Sequence, residues 1–157
     1  MGIATTVQEM LERRSVAYDC VAHSRTSNAA ETAEVCRIPE DNLAKGVLLK
    51  RRSGYLLAIV PASCQVRLEA VGDWLDEPVG LASERDIERI FNDCEIGSVP
   101  PIAGAYGLAA VMDEKLEGFS DIYFECGDHR TLIHMSGRDF HRLTAEVPHA
   151  PISIRSH

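Results

Sequence analysis

Two apolar runs in the middle of the chain, Val47-Leu48-Leu49 and Leu56-Leu57-Ala58-Ile59-Val60, stand on either side of the polar tetrapeptide Arg51-Arg52-Ser53-Gly54. A glycine in a short polar link between two such runs is hairpin chemistry, so Lys45 to Lys50 and Tyr55 to Val60 are predicted to be paired strands. Their apolar residues are continuous rather than alternating. A strand of that kind has to be covered on both faces. The rest of the chain must therefore supply apolar helices for two sides of one sheet. A length of 157 residues, 45% of them apolar, is enough to do so as one domain.

The flanking segments carry the required signals. Thr6-Val7-Gln8-Glu9 reads as a capping box opening a helix with Val7, Met10 and Leu11 on one face. Val16 to Val21 reads as a short strand. Asn28-Ala29-Ala30-Glu31 opens a second helix that runs to about Cys36 and cannot pass Pro39. Leu68, Val71 and Leu75 share a helical face with Trp74 beside it, and Ser83 caps a helix presenting Ile87, Ile90 and Phe91. Leu108 to Met112, Ile122 to Cys126 and Thr131 to Met135 read as strands, with Gly127-Asp128 at the last turn. Ser136 caps a short helix that buries Phe140 and Leu143. The prediction is an α/β (α+β) domain over residues 1–144, with a mixed, mostly antiparallel central sheet and helices packed on it, followed by an extended tail over 145–157 that contains Pro148 and Pro151.

Several function classes are disfavoured. Sixteen Lys and Arg against 24 Asp and Glu give a net charge of -8, which excludes a polycation that coats nucleic acid but leaves room for a local basic site. The longest apolar runs, Tyr55 to Val60 and Gly107 to Met112, are far too short to cross a bilayer. The stretch Met1-Gly2-Ile3-Ala4-Thr5-Thr6 lacks the basic and apolar regions of a signal peptide, so a cytoplasmic location and no membrane partner are expected. Cys20, Cys36, Cys64, Cys94 and Cys126 are scattered without a CxxC pair, and no HExxH or His-x-His occurs, so no metal is expected. Nor is there a Gly-x-Gly-x-x-Gly or Walker loop. No cofactor is expected.

Lysine is scarce, and Lys45 begins the apolar strand. Its ammonium either snorkels to the sheet edge or points into a cleft as a cation for an anionic or polarised oxygen. Gly97-Ser98-Val99-Pro100-Pro101-Ile102-Ala103-Gly104 is either a rigid connector or a recognition loop whose prolines fix the direction of backbone N–H groups. His129 sits in a turn, where a histidine is ordinarily solvated. His134 reads as a packed strand residue, and His141 and His149 read as surface residues. Lys50-Arg51-Arg52 is either a solvated hairpin tip or a phosphate-attracting patch.

Taken in order, these pieces resemble the YbaK family, the prolyl-tRNA-synthetase-associated editing domains, over about residues 5 to 144. The resemblance is carried by a strand ending at His23, a Thr/Ala-rich helix from Thr26 to Cys36, the strand Ala44-Lys45-Gly46-Val47-Leu48-Leu49, the Gly-x-x-x-Pro loop at Gly97 to Pro101, and a closing hairpin that ends at His129. Gly46 stands where such domains often carry Asn or Thr. The resemblance implies hydrolysis of the ester between an amino acid and the tRNA 3′-terminal adenosine, by a directly attacking water assisted by a ribose hydroxyl. It implies that Lys45 anchors the terminal nucleotide or stabilises charge on the ester oxygen. It further implies that Gly97, Ser98, Val99, Pro100 and Pro101 hold the acyl group, through N–H groups near Gly97 and Ser98. His129 is the better match for the family's pocket histidine, and His134 the weaker one. The implied partners are the acceptor end of a mischarged tRNA and a synthetase or elongation factor that presents it. A rigid loop sets an expectation of small acyl groups such as alanine or serine, with a methyl at position 97 either intruding on the acyl group or straining the turn. The competing expectation is a catalytically silent member that binds an aminoacyl group, a tRNA end or a protein.

Overall fold

The computed structural model describes residues 3–156; Met1 and Gly2 of the N-terminal hexapeptide, and His157, lie outside it. In chain order the elements are α1 (Thr5–Arg13), β1 (Asp19–Ala22), α2 (Ala29–Cys36), β2 (Ala44–Arg51), β3 (Gly54–Pro61), β4 (Cys64–Val66), α3 (Leu68–Leu75), β5 (Val79–Leu81), α4 (Glu84–Ile90), β6 (Ala110–Asp113), β7 (Asp121–Glu125), β8 (Thr131–Ser136), α5 (Gly137–Leu143), β9 (His149–Ala150) and β10 (Ser153–Arg155). No helix among the described residues is long and apolar enough to cross a membrane.

The predicted hairpin forms the middle of a five-stranded mixed sheet of order β5-β2-β3-β6-β9. β2 and β3 pair antiparallel from Ala44↔Pro61 to Arg51↔Gly54. β3–β6 and β6–β9 are parallel ladders. The continuous apolar run of β3 is explained by its two faces: Leu57 and Ile59 pack with α1 residues Val7, Met10 and Leu11. Leu56, Ala58 and Val60 pack instead with Val71 of α3 and with Ile152. A core on each side of β3 leaves that strand no face for polar residues. A second, antiparallel sheet of order β1-β8-β7 stands beside the first, bridged to it by Leu43↔Tyr123.

Side-chain caps at Asn28, Ser83 and Ser136 match expectation, each accepting a hydrogen bond from the N–H three residues on. The capping box at Thr6 does not form. Helix α1 begins after Ala4 with no side-chain cap of its own. The Thr6 N–H is instead satisfied by Asp93 Oδ2 at 3.0 Å, from a residue remote in sequence. β1 starts three residues later than predicted because Ser15 turns left-handed (φ 54°) and the Val16 N–H closes α1 on the Leu11 carbonyl. β6 starts two residues late because the Leu108 N–H closes a 3₁₀ turn on the Ala103 carbonyl.

Beyond Thr144, where an extended tail was expected, the chain first turns through residues 145–147 and then forms two short paired strands. β9 adds to the edge of the main sheet, β10 pairs antiparallel with β4, and Ile152 is fully buried. Asp113, wholly inside, accepts from the Ile152 N–H (3.0 Å) and the Ser153 hydroxyl (2.7 Å). The Lys50-Arg51-Arg52 tip is largely committed: Arg51 pairs with Glu77 at 2.7 Å, the Arg52 N–H donates to the same carboxylate, and Lys50 lies over the Tyr55 ring.

Candidate functional site

A cavity of about 600 Å³ opens where the start of β2, the N-terminus of α2, helix α4 and the segment Ile96 to Val99 meet. Its size falls in the range that encloses small ligands. Lys45, Gly97 and Val99 line it, together with apolar side chains that include Val47, Leu48, Leu81 and Ile87. Gln65 and Ser156, from β4 and the last described residue, complete the wall. Thus the C-terminal strand pairing helps to build the cavity as well as the core.

Lys45 follows the buried Ala44 in β2, opposite Val60. It enters no ion pair among the described residues. Burial pushes its ammonium below the ordinary lysine value, with Cys64 and Glu40 opposing that shift. A lysine so placed is a poorly hydrated, uncommitted cation at a cavity wall.

The loop is tied down from behind. Ser98 is fully buried, and its Oγ accepts from the Gly127 N–H (2.9 Å) and the His129 N–H (3.3 Å). The Ser98 N–H is already committed to the Glu95 carbonyl at 3.1 Å. By contrast, the N–H groups of Gly97 and Val99 have no protein acceptor among the described residues. The N–H groups available beside the cavity are therefore those of Gly97 and Val99, where Gly97 and Ser98 were expected. Pro100 and Pro101 are buried beneath the loop.

His129 does not line the cavity. It is buried behind the loop in a left-handed conformation (φ 58°), held by Asp128, whose carboxylate accepts from the Arg130 N–H (3.0 Å) and the Thr131 hydroxyl (3.2 Å). Its Nε2 donates to the Ile96 carbonyl at 2.6 Å. A methyl built on Gly97 (φ 86°) would stand 3.0 Å from the His129 Cε1, so substitution there strains the turn against the histidine. His134 lies on the outer sheet between Asp19 and Asp121, stacked on Tyr123. Gly46 also has a packing reason. A Cβ there would sit 3.1 Å from Leu57 Cδ1 and 3.3 Å from the Pro100 carbonyl, so the glycine lets the loop close down on β2.

One further charged group in the cavity wall was not singled out from the sequence. Glu125, at the end of β7, is buried and lines the cavity. Its Oε1 is 3.1 Å from His23 Nε2, and its Oε2 accepts from the Thr32 hydroxyl at 2.8 Å. A signal existed. By strand alternation Glu125 shares the side of Tyr123, which packs on the apolar cluster of Ala33, Leu43 and Leu132. A carboxylate on such a face needs partners.

Lys45, the buried Glu125 and two residues whose N–H groups have no protein acceptor among the described residues line one cavity of ligand size. The model of the aminoacyl-tRNA editing domain matches residues 23–143, and the chain belongs to that family. It is 27% identical over 94 residues to the proline–tRNA ligase of Fervidobacterium nodosum; the match covers 59% of this chain and 16% of that much longer enzyme. Among solved structures it resembles a hypothetical protein (TM-score 0.84, 20% identity, 95% of this chain and 99% of that one). It also resembles a candidate trans-editing enzyme for prolyl tRNA synthetase (TM-score 0.82, 23% identity, 96% of both chains). A protein from Marinobacter aquaeolei VT8, described as a candidate signal transduction protein, contains the same fold in 31% of its length (TM-score 0.76, 20% identity). At these identities the solved structures speak for the fold.

Proposed function

We propose that the protein is a trans-acting aminoacyl-tRNA deacylase that removes small amino acids from mischarged tRNA without a metal. The observation that carries this reading is the meeting of Lys45 with the Gly97–Val99 backbone around one cavity of ligand size. In the proposed reaction a water oxygen adds to the ester carbonyl carbon, the bond from that carbon to the ribose oxygen breaks, and the departing oxygen takes a proton. A neighbouring ribose hydroxyl assists the water. Lys45 holds the terminal nucleotide or the negative charge developing on the ester oxygen, and the Gly97 and Val99 N–H groups are the candidate partners of the carbonyl.

Preference for small acyl groups is supported by the fixed loop, in which Ser98 and His129 leave the backbone little room to retreat. The likeness to a candidate trans-editing enzyme supports action in trans, with substrate presented by a synthetase or elongation factor. The test is release of amino acid from a panel of mischarged tRNAs. Faster release from alanyl- or seryl-tRNA than from bulkier esters supports the reading. Release at the uncatalysed rate across the panel leaves only a binding role.

A further inference from the structure

We propose that Glu125 is the docking point for the free α-ammonium of the aminoacyl group, which restricts this site to esters whose amine is unblocked. The inference rests on the editing reading above and adds a binding residue to it. Lys45, Glu84 and Glu125 are the charged residues lining the cavity. Glu84 is exposed on the rim at the start of α4, where water screens it. Glu125 is in the wall, its side chain 9% exposed, and its partner His23 is 2% exposed.

Its surroundings hold that carboxylate in place without using it up. The Ser24 carbonyl, 2.6 Å from His23 Nδ1, can only accept, so Nδ1 carries a hydrogen. The contact from Nε2 to Glu125 Oε1 then needs a second hydrogen, shared between the two groups. On the other side the Thr32 hydroxyl donates to Oε2 at 2.8 Å, and the Thr26 hydroxyl, 2.5 Å from that of Thr32, donates to the same oxygen at 3.5 Å. A carboxylate has about four acceptor positions, so at least one remains for a ligand. Lys45 thus gives the cavity a cation without an ion-pair partner among the described residues, and Glu125 gives it a carboxylate, paired with the His23 imidazole, that can accept a further hydrogen bond. The aminoacylated 3′ end of a tRNA has the matching groups: an ammonium beside the carbonyl, and on the other side the phosphate of the terminal nucleotide or the oxyanion charge that develops on the ester. An N-acylated or peptidyl ester lacks the ammonium and would leave the buried carboxylate facing an uncharged amide.

The test uses two non-hydrolysable alanyl-adenosine analogues with an amide in place of the ester, one with a free amine and one N-acetylated, titrated calorimetrically into the full chain. The wild-type protein is expected to bind the free amine about tenfold or more tightly than the acetylated form, the size of a lost charged hydrogen bond. Glu125→Gln should collapse that ratio by weakening the free amine alone. Equal affinities of the wild type for the two analogues would overturn the inference while leaving the editing reading intact, and need no variant that might unfold. Binding of neither analogue would overturn both. Loss of the ratio in Glu84→Gln but not in Glu125→Gln would move the ammonium to the rim and overturn the assignment.

Discussion

Replacing Gly97 by alanine tests whether the loop is held by His129. Gly97 has φ 86°, and an added methyl meets His129 Cε1 at 3.0 Å and Nε2 at 3.4 Å. The left-handed backbone costs a non-glycine residue about 1–2 kcal/mol. Displacing the imidazole to relieve the contact sacrifices its 2.6 Å hydrogen bond to Ile96, a further loss of about 1 kcal/mol. The sum, about 2–3 kcal/mol, corresponds to a fall in Tm of roughly 4–12 °C for a chain of this size. The cost should not be additive with His129→Ala, because removing the ring abolishes both the contact and the hydrogen bond. A double-mutant cycle by urea denaturation should show Gly97→Ala costing about 1 kcal/mol less in the His129→Ala background than in the wild type. Each single variant should also slow deacylation by letting Ile96 to Val99 move. Strict additivity in the cycle would refute the packing of His129 on Gly97 as the brace of the loop.

Gly46→Asn should overpack the contact with Leu57 and the Pro100 carbonyl, costing about 1–3 kcal/mol and slowing the reaction; unchanged melting and rate would contradict it. Ending the chain after Thr144 removes the fully buried Ile152 and strips Asp113 of two donors, a loss of about 3–6 kcal/mol that calorimetry should read as loss of cooperative melting; a truncated chain that melts like the full one would show residues 145–157 to be dispensable. Burial pushes the Cys94 thiol up to about 12, with Asp93 adding to the shift and Tyr106 opposing it. Cys94 should therefore resist iodoacetamide near neutral pH and react after unfolding, with activity surviving the native treatment; rapid native alkylation with loss of activity would contradict this.

What could be read from the sequence follows the range of each interaction. The β2–β3 hairpin was legible because continuous apolar runs have one packing consequence. Asn28, Ser83 and Ser136 were legible because a cap is local. The start of α1 was not, since Asp93 supplies its hydrogen bond from the far side of the fold. Lys45 and the Gly97 loop could be selected as candidates, but the place of His129 could not. A turn histidine is ordinarily solvated, and this one is buried because Ser98 and Ile96 come to it from another segment. Residues 149–155 carry no strand pattern, because strands of two and three residues are too short to show a period. Glu125 was visible only as a carboxylate on an apolar strand face, and its partners His23 and Thr32 lie about a hundred residues away.

The most direct test of the central claim is single-turnover release of alanine from alanyl-tRNA by the wild type and by Lys45→Ala, both kept in EDTA and both shown to melt alike. Wild-type release well above the uncatalysed rate, and a fall of about a hundredfold to a thousandfold in the variant, is the predicted result. Comparable turnover by the two proteins, or wild-type activity that disappears in EDTA and returns with zinc, would contradict a metal-free deacylase centred on Lys45.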